Sequence, residues 1–153
     1  MKVREMMTRK FASVGPDSTL TDAARLMWEC DCGFVPVVDL QSGNLVGVVT
    51  DRDACMAAYT QGTPFGTIRV ATAMAKKVHT CRAEDDVSKA QELMRRNQLR
   101  RLPVLDKAGK LVGVLSLSDL VRVTEKSRSA ALRKELCSTL AAVTRPRASA
   151  ATA

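Results

Sequence analysis

Residues 47–53 read Gly-Val-Val-Thr-Asp-Arg-Asp, and residues 113–119 read Gly-Val-Leu-Ser-Leu-Ser-Asp. In both stretches a short apolar run is followed by a hydroxyl residue, and a carboxylate comes three positions after the hydroxyl. A Ser or Thr with an acidic side chain three residues later is typical of a helix start. The sequence therefore predicts the same step, from a β-strand into a helix, twice in one chain.

These two stretches belong to a longer internal repeat. Residues 3–39 align with residues 70–106 at an offset of 67 positions, and one residue is then dropped in a turn. After the turn, the sequence Leu-Val-Gly-Val at residues 45–48 recurs without a mismatch at residues 111–114. The alignment covers about 115 residues, so chance is a poor explanation for it.

Each copy of the repeat predicts the same order of elements. A short extended piece precedes a helix with one apolar stripe, a β-hairpin follows, and a second helix closes the copy. One copy has too little core to stand alone. We therefore expect an α+β fold in which two tandem β-α-β-β-α repeats pack through their sheets with pseudo-two-fold symmetry. The predicted parts are a first repeat at 1–62, a connector at 63–69, a second repeat at 70–125, a C-terminal helix at 126–143 and a disordered tail at 144–153.

Composition and charge narrow the function classes. The chain has 153 residues, of which 46% are hydrophobic and 3% aromatic, and its formal net charge is +8. Residues 1–66 carry 6 Lys or Arg against 8 Asp or Glu, residues 67–125 carry 12 against 7, and residues 126–153 carry 6 against 1. An anionic ligand should therefore prefer the second half. No apolar run is long enough to span a bilayer and no signal-peptide pattern is present, so we expect a cytoplasmic protein without a membrane partner.

Four residues of the two deciding stretches are candidates for ligand contact: Thr50, Asp53, Ser116 and Asp119. A hydroxyl at a helix start lies beside free backbone N–H groups, which favour a phosphate. The carboxylate three residues later can accept hydrogen bonds from both hydroxyls of a ribose. The glycine of each stretch would let a base or sugar approach the strand. The same pattern also fits a capping box that only starts a helix, and the two roles are compatible.

These paired repeats resemble the cystathionine β-synthase (CBS) domain family, in the tandem form found in stand-alone bacterial proteins. The resemblance rests on three motifs, each present in both copies: Pro-Val-Val-Asp or Pro-Val-Leu-Asp, Leu-Val-Gly-Val, and Thr-x-x-Asp or Ser-x-x-Asp. It spans about residues 1–125. It implies a non-enzymatic homodimer that binds AMP, ADP, ATP or another adenosyl compound in two clefts between the repeats and signals to an effector protein in trans.

The resemblance also implies roles for individual residues. Asp53 and Asp119 map to the ribose-binding carboxylate, with Thr50 and Ser116 as its hydroxyl neighbours. Arg101, beside Arg100, maps to the phosphate-contacting basic residue, whereas the first repeat has Phe34 at that position. Ser13 and Thr80 map to a hydroxyl contributed by the opposite repeat. We therefore expect the Asp119 cleft to be the tighter, phosphate-accepting one, and Asp119→Ala to weaken nucleotide binding with little loss of fold.

Two alternatives remain at this point. The chain could be a dimerisation or stress scaffold whose clefts are empty, with Phe34 and Phe11 filling the first. It could instead be a thiol or metal sensor, if Cys30, Cys32 and Cys55 converge. Zinc usually needs four ligands in a tetrahedral array, and the sequence offers no C-x-x-C knuckle, so we expect no metal and read Cys30 as a small core residue. The basic C-terminal segment lacks a DNA-reading motif and interleaved aromatics, which makes a nucleic-acid partner an unfavoured reading.

Overall fold

The computed structural model describes residues 1–146, which form six α-helices and five β-strands. The helices are α1 (Leu20–Glu29), α2 (Asp51–Gln61), α3 (Val70–Ala73), α4 (Val87–Asn97), α5 (Leu117–Lys126) and α6 (Ala130–Val143). The strands are β1 (Phe34–Val38), β2 (Leu45–Thr50), β3 (Cys81–Arg82), β4 (Arg101–Leu105) and β5 (Leu111–Ser116). Two short 3-10 helices lie at Val3–Glu5 and Phe65–Thr67. The predicted α+β fold of two tandem repeats is confirmed.

Both hairpins repeat each other in detail. Strands β1 and β2 pair antiparallel, as do β4 and β5, and each pairing shifts register at the equivalent point near the end of the first strand. The turns contain Gly43 and Gly109, at φ 68° and 82°, where a side chain would be unfavourable. Strand β3 adds to β4 in parallel, and Val14 makes the corresponding single bridge to Val37. The repeat read from the sequence is therefore a repeat of backbone geometry.

The helix starts follow from local sequence. Thr19, Thr50 and Ser116 cap α1, α2 and α5, and in each case an Asp three residues later bonds back to the cap residue. Such reciprocal bonds satisfy N–H groups that a helix start leaves unpaired. The predicted apolar stripes are buried: Leu20, Ala23 and Met27 in α1, and Val87, Ala90 and Met94 in α4.

The two units exchange the segments that precede them in sequence. Val3, Met6 and Met7 lie in the hydrophobic cluster of the second repeat, whereas Ile68 and Val70 lie in that of the first. The exchange continues into the sheets, since Thr8 bridges Val114 of β5 and Ala75 bridges Val48 of β2, through paired backbone hydrogen bonds of 2.9–3.1 Å. Each apolar core is therefore completed by a segment that lies next to the other repeat in sequence.

Helix α6 packs on the second unit alone. Its buried residues are Leu136, Thr139 and Val143. The Thr139 hydroxyl, fully buried, donates to Gln91 Oε1 at 2.8 Å and accepts from Arg95 at 3.0 Å. The predicted C-terminal helix thus begins four residues later than expected and ends where expected. The predicted tail falls mainly on residues 147–153, which lie outside the described residues.

Within residues 1–146, no helix combines the length and the apolar character needed to cross a membrane.

Candidate functional site

A cavity of about 410 Å³ lies where the two units meet and is lined by both of them. Its volume is within the range of small-molecule sites in proteins. The second unit contributes β4, β5 and the start of α5, and the first contributes the end of α1, the start of β1 and the segment around Phe11. The lining residues used below are Thr8, Lys10, Phe11, Cys30, Asp31, Cys32, Phe34, Arg101, Ser116, Ser118, Asp119 and Arg122.

Asp119 is the central charged group of this cavity and is 2% exposed. Its Oδ2 accepts hydrogen bonds from the backbone N–H and the hydroxyl of Ser116, at 2.8 and 2.5 Å. Its Oδ1 accepts from the Thr8 hydroxyl at 3.0 Å and from the Arg122 guanidinium. A buried carboxyl group needs such partners, and this network supplies hydrogen bonds to both Asp119 oxygens in the wall of the cavity.

Asp53, the counterpart in the first unit, has fewer partners. Its Oδ2 accepts from the backbone N–H and hydroxyl of Thr50, at 2.9 and 2.7 Å, which repeats the capping box of Asp119. Within residues 1–146 no donor is recorded for its Oδ1, and the residue is half-buried. The two carboxylates therefore share the helix-capping role and differ on the side that faces away from the helix.

The structure brings together four of the nine predicted site residues. Phe34, Arg101, Ser116 and Asp119 all line the cavity. Phe34 was expected in the other cleft, but β1 and β4 begin close together where the units meet, so both of their first residues reach the same space. The other predicted residues, Ser13, Thr50, Asp53, Thr80 and Arg100, are not among its lining residues. Phe11 and Phe34 form part of the wall and leave the cavity open.

The sequence analysis missed other polar and charged residues that line the cavity, among them Thr8, Lys10, Asp31, Ser118 and Arg122. Thr8 and Lys10 belong to the exchanged N-terminal segment, and no local sequence pattern predicts that this segment packs against the second unit. Arg122 lies three residues after Asp119, a spacing that places both side chains on one helix face. That spacing was a usable signal. Lys10, Arg101 and Arg122 bring three cations to a cavity that also contains the carboxylates of Asp31 and Asp119. This combination suits a ligand with a phosphate and a hydroxylated sugar.

The glycines of the two deciding stretches have a different role from the one expected. A Cβ on Gly113 would lie 2.8 Å from Met7 Sδ and 3.0 Å from the Thr8 carbonyl oxygen. A Cβ on Gly47 would lie 2.6 Å from Met74 Sδ and 3.1 Å from the Ala75 carbonyl oxygen. The expectation that these glycines admit a base or sugar is wrong, because the exchanged segments occupy that space.

The cysteines do not form one cluster. Cys30 and Cys32 line the cavity, whereas Cys32 and Cys55 line a second hollow between α1 and α2. The expectation that Cys30 is a core residue is wrong: it is exposed, because it caps the C-terminal end of α1 beyond the buried stripe. No group of three or more His, Cys, Asp or Glu within residues 1–146 is placed to hold a metal ion.

Cys81 is expected to resist alkylation in the folded protein. Burial raises the pKa of its thiol from 9.0 to about 12, so the reactive thiolate is scarce at about pH 8. Iodoacetamide should modify the exposed Cys30, Cys55 and Cys137 in native protein and Cys81 only in denaturant, as mass spectrometry of tryptic peptides can show. The stability gained by keeping Cys81 protonated is present below pH 9 and lost as the pH rises towards 12. Equal labelling rates for Cys81 and Cys137 in native protein would contradict this.

Comparison with known proteins agrees with the geometry. The family model described as "CBS domain" matches residues 3–59 and 70–126. The CBS domain-containing protein YhcV of Bacillus subtilis (strain 168) is 34% identical over 132 residues, which cover 85% of this chain and 91% of that relative. The crystal structure of CBSX2 in complex with AMP is similar with a TM-score of 0.71 and 28% identity, over 82% of this chain and 96% of that one. The structure of Hypoxic Response Protein I with two coordinated zinc ions is similar with a TM-score of 0.72 and 28% identity, over 80% and 98% of the respective chains.

The fold and the shared cavity define a pair of tandem repeats with a ligand-sized space between them. With both family matches and the relatives above, this chain belongs to the CBS domain family and is a tandem CBS pair. CBS pairs are often ligand-binding regulatory modules.

Proposed function

We propose that this CBS pair binds an adenine nucleotide, AMP, ADP or ATP, in the cavity around Asp119 and thereby regulates a partner protein in trans, without catalysing a reaction. The observation that carries the proposal is the buried carboxyl group of Asp119 at a helix start, in the lining of a cavity that both units share. A ribose hydroxyl can donate to such a carboxylate, and the cations at the cavity wall can pair with a phosphate. The AMP complex of CBSX2, a structurally similar CBS protein, supports this ligand class.

The cleft of Asp53 is proposed as the weaker site. Its helix start repeats the hydroxyl and the carboxylate, but Arg101, the cation that the resemblance assigns to phosphate, lines the Asp119 cavity. In the first repeat, Met56 stands at the position that corresponds to Arg122 in the second repeat. The first cleft therefore lacks this cation for a phosphate. Ser13, Thr80 and Arg100 remain predicted contributors whose contacts depend on the ligand's pose.

AMP titration by calorimetry tests the proposal. Wild-type protein should bind AMP, and Asp119→Asn should weaken binding at least about tenfold, because a neutral amide loses the charged acceptor for the ribose. Asparagine keeps an oxygen for the capping bonds, so circular dichroism should show an intact fold. Asp86→Asn, an exposed carboxylate paired with Lys2, is the matched control and should leave the affinity unchanged. If the wild-type protein bound none of AMP, ADP and ATP, the proposed sensor function would be refuted and the dimerisation scaffold would be the better interpretation.

A homodimer through the α1–α2 face is part of the same proposal. Trp28 on α1 and Tyr59 on α2 are 89% and 80% exposed. Trp28 also lines the second hollow, whose wall includes apolar residues of α1 and α2. Trp28 aligns with Arg95 in the repeat, and Arg95 is held under α6 on the second unit. Large aromatic side chains exposed in this way are typical of an interface core.

Trp28→Glu is expected to shift the protein from dimer to monomer in sedimentation velocity. A charge at the centre of an apolar interface leaves an unpaired group buried on association, which costs more than the lost contact alone. Gln41→Glu, at an exposed turn outside α1 and α2, adds the same single negative charge and is the control. A Trp28→Glu protein that sediments as the wild type does would remove this face as the interface.

The regulatory step proposed here is a change in the angle between units when the cavity is occupied, which a cytoplasmic effector protein would read. Since both units line the cavity, a ligand can favour one relative arrangement over another. Identical amide exchange of free and AMP-bound protein at β4, β5 and the Thr8 segment would contradict this switch.

A further inference from the structure

Both side-chain oxygens of Asp119 already accept hydrogen bonds from protein groups. Oδ1 accepts from Thr8 and from Arg122, while Oδ2 is committed to the capping box with Ser116. A carboxylate oxygen offers two lone-pair positions, so a ribose hydroxyl must replace one of the two donors at Oδ1. Arg122 is the one that can move, because its side chain is 65% exposed, whereas Thr8 is fixed by backbone bonds to β5.

The first unit has no such arrangement. The repeat places Met56 where the second unit has Arg122, and Ala75 where it has Thr8. The duplicated carboxylate and its capping hydroxyl are therefore shared by both units, whereas the donors on the outer oxygen belong to the Asp119 cavity. A feature present in one copy and absent from the other points to a property of one cleft and not to a requirement of the fold.

We propose that Arg122 makes the Asp119 cavity selective for phosphorylated ligands over the corresponding nucleosides. This inference rests on the proposed adenine-nucleotide function and names the residue that sets its specificity. When a ribose takes the Arg122 position on Asp119, the guanidinium loses its carboxylate partner. A nucleotide supplies a new anionic partner, its phosphate, to which two N–H groups of the Arg122 guanidinium can donate side by side. A nucleoside leaves the cation without one, so its binding is opposed by the Arg122–Asp119 contact.

Arg101 and Lys10 face the same cavity and also attract a phosphate. Within residues 1–146 neither of them forms a hydrogen bond or ion pair with Asp119. They therefore favour binding of the phosphate without opposing the binding of a nucleoside. Arg122 differs because one contact is exchanged for another. Its removal should therefore weaken binding of the nucleotide and tighten binding of the nucleoside. Loss of a merely attractive charge at the rim would weaken the nucleotide alone, and loss of a structural contact would weaken both.

The test is a pair of titrations, AMP and adenosine, followed by the backbone amide resonances of Ser118 and Asp119, which report this cavity separately from the first cleft. In wild-type protein AMP should bind at least about tenfold more tightly than adenosine, the scale of one charge-assisted hydrogen bond. Arg122→Met, which installs the first unit's residue, should weaken AMP binding about tenfold while adenosine binding tightens. Arg122→Lys should keep most of the AMP preference, and Arg128→Met, an exposed arginine beyond α5, should keep all of it.

An Arg122→Met protein with the wild-type ratio of AMP to adenosine affinity would overturn the proposal. An equal loss for both ligands would overturn it as well, since that result makes Arg122 a support of the site's shape. Failure of AMP to shift the amides of the wild type would instead refute the proposed function itself, and with it this inference.

Discussion

Asp119→Ala is expected to lower the free energy of unfolding by about 2–4 kcal/mol, more than its counterpart Asp53→Ala, for which about 1 kcal/mol is expected. Both substitutions remove the carboxylate of a capping box. Asp119→Ala also removes the acceptor of the hydrogen bonds from Thr8 and Arg122. The Thr8 bond connects the exchanged N-terminal segment to α5. Because Asp119 is 2% exposed, these bonds are made largely out of water, and their loss is added to the loss of the cap.

Urea unfolding of the two variants beside the wild type measures this difference directly. The pair is its own control, since the capping geometry is the same in both units and the additional contacts are not. Equal destabilisation would mean that the Thr8 and Arg122 contacts add nothing to stability. The sequence alone suggested that alanine at Asp119 spares the fold, and the buried contact network changes that expectation. Asparagine is therefore the better variant for binding studies.

Gly113→Ala should destabilise the protein by about 1–3 kcal/mol, and Gly47→Ala by a similar amount, because each methyl group enters an occupied space. The methionine side chains facing the glycines can move aside. The carbonyl oxygens of Thr8 and Ala75, at 3.0 and 3.1 Å from the new atom, belong to backbone that is hydrogen-bonded on both sides of the contact. The sheet bond between the exchanged segment and its strand must therefore lengthen.

Thermal or urea unfolding checks this second expectation. Gly66→Ala is the control, since a Cβ there would meet its nearest atom at an ordinary 3.7 Å and its φ lies outside the left-handed region. It should change stability by less than about 0.5 kcal/mol. A Gly113→Ala protein as stable as the wild type would show that the exchanged segment packs more loosely than the structure has it.

The features that the sequence predicted correctly depend on residues close together in the chain. The capping boxes join residues three apart, the hairpins join strands across short turns, and the apolar stripes lie within single helices. Local chemistry decides such features, and the internal repeat doubled the evidence for each. The tandem α+β architecture could therefore be predicted before any coordinates.

The site was predicted in part because it depends on long-range packing. Ser116 and Asp119 follow from their motif, but the Thr8 hydroxyl that completes the Asp119 network is 111 residues away in sequence. The position of Phe34 in the Arg101 cavity likewise follows from how two units meet. The motif glycines were given a ligand role because the segment that fills their space could not be placed from sequence.

The segment exchange carries a consequence for the origin of the chain. Residues 3–7 complete the apolar core of the second unit, and residues 68–74 complete that of the first. A single-copy ancestor would have completed its core by domain swapping, in which two molecules exchange this segment. Gene duplication and fusion would then have converted a swapped pair of molecules into one chain, after which the two copies were free to diverge, as Arg122 and Met56 have done.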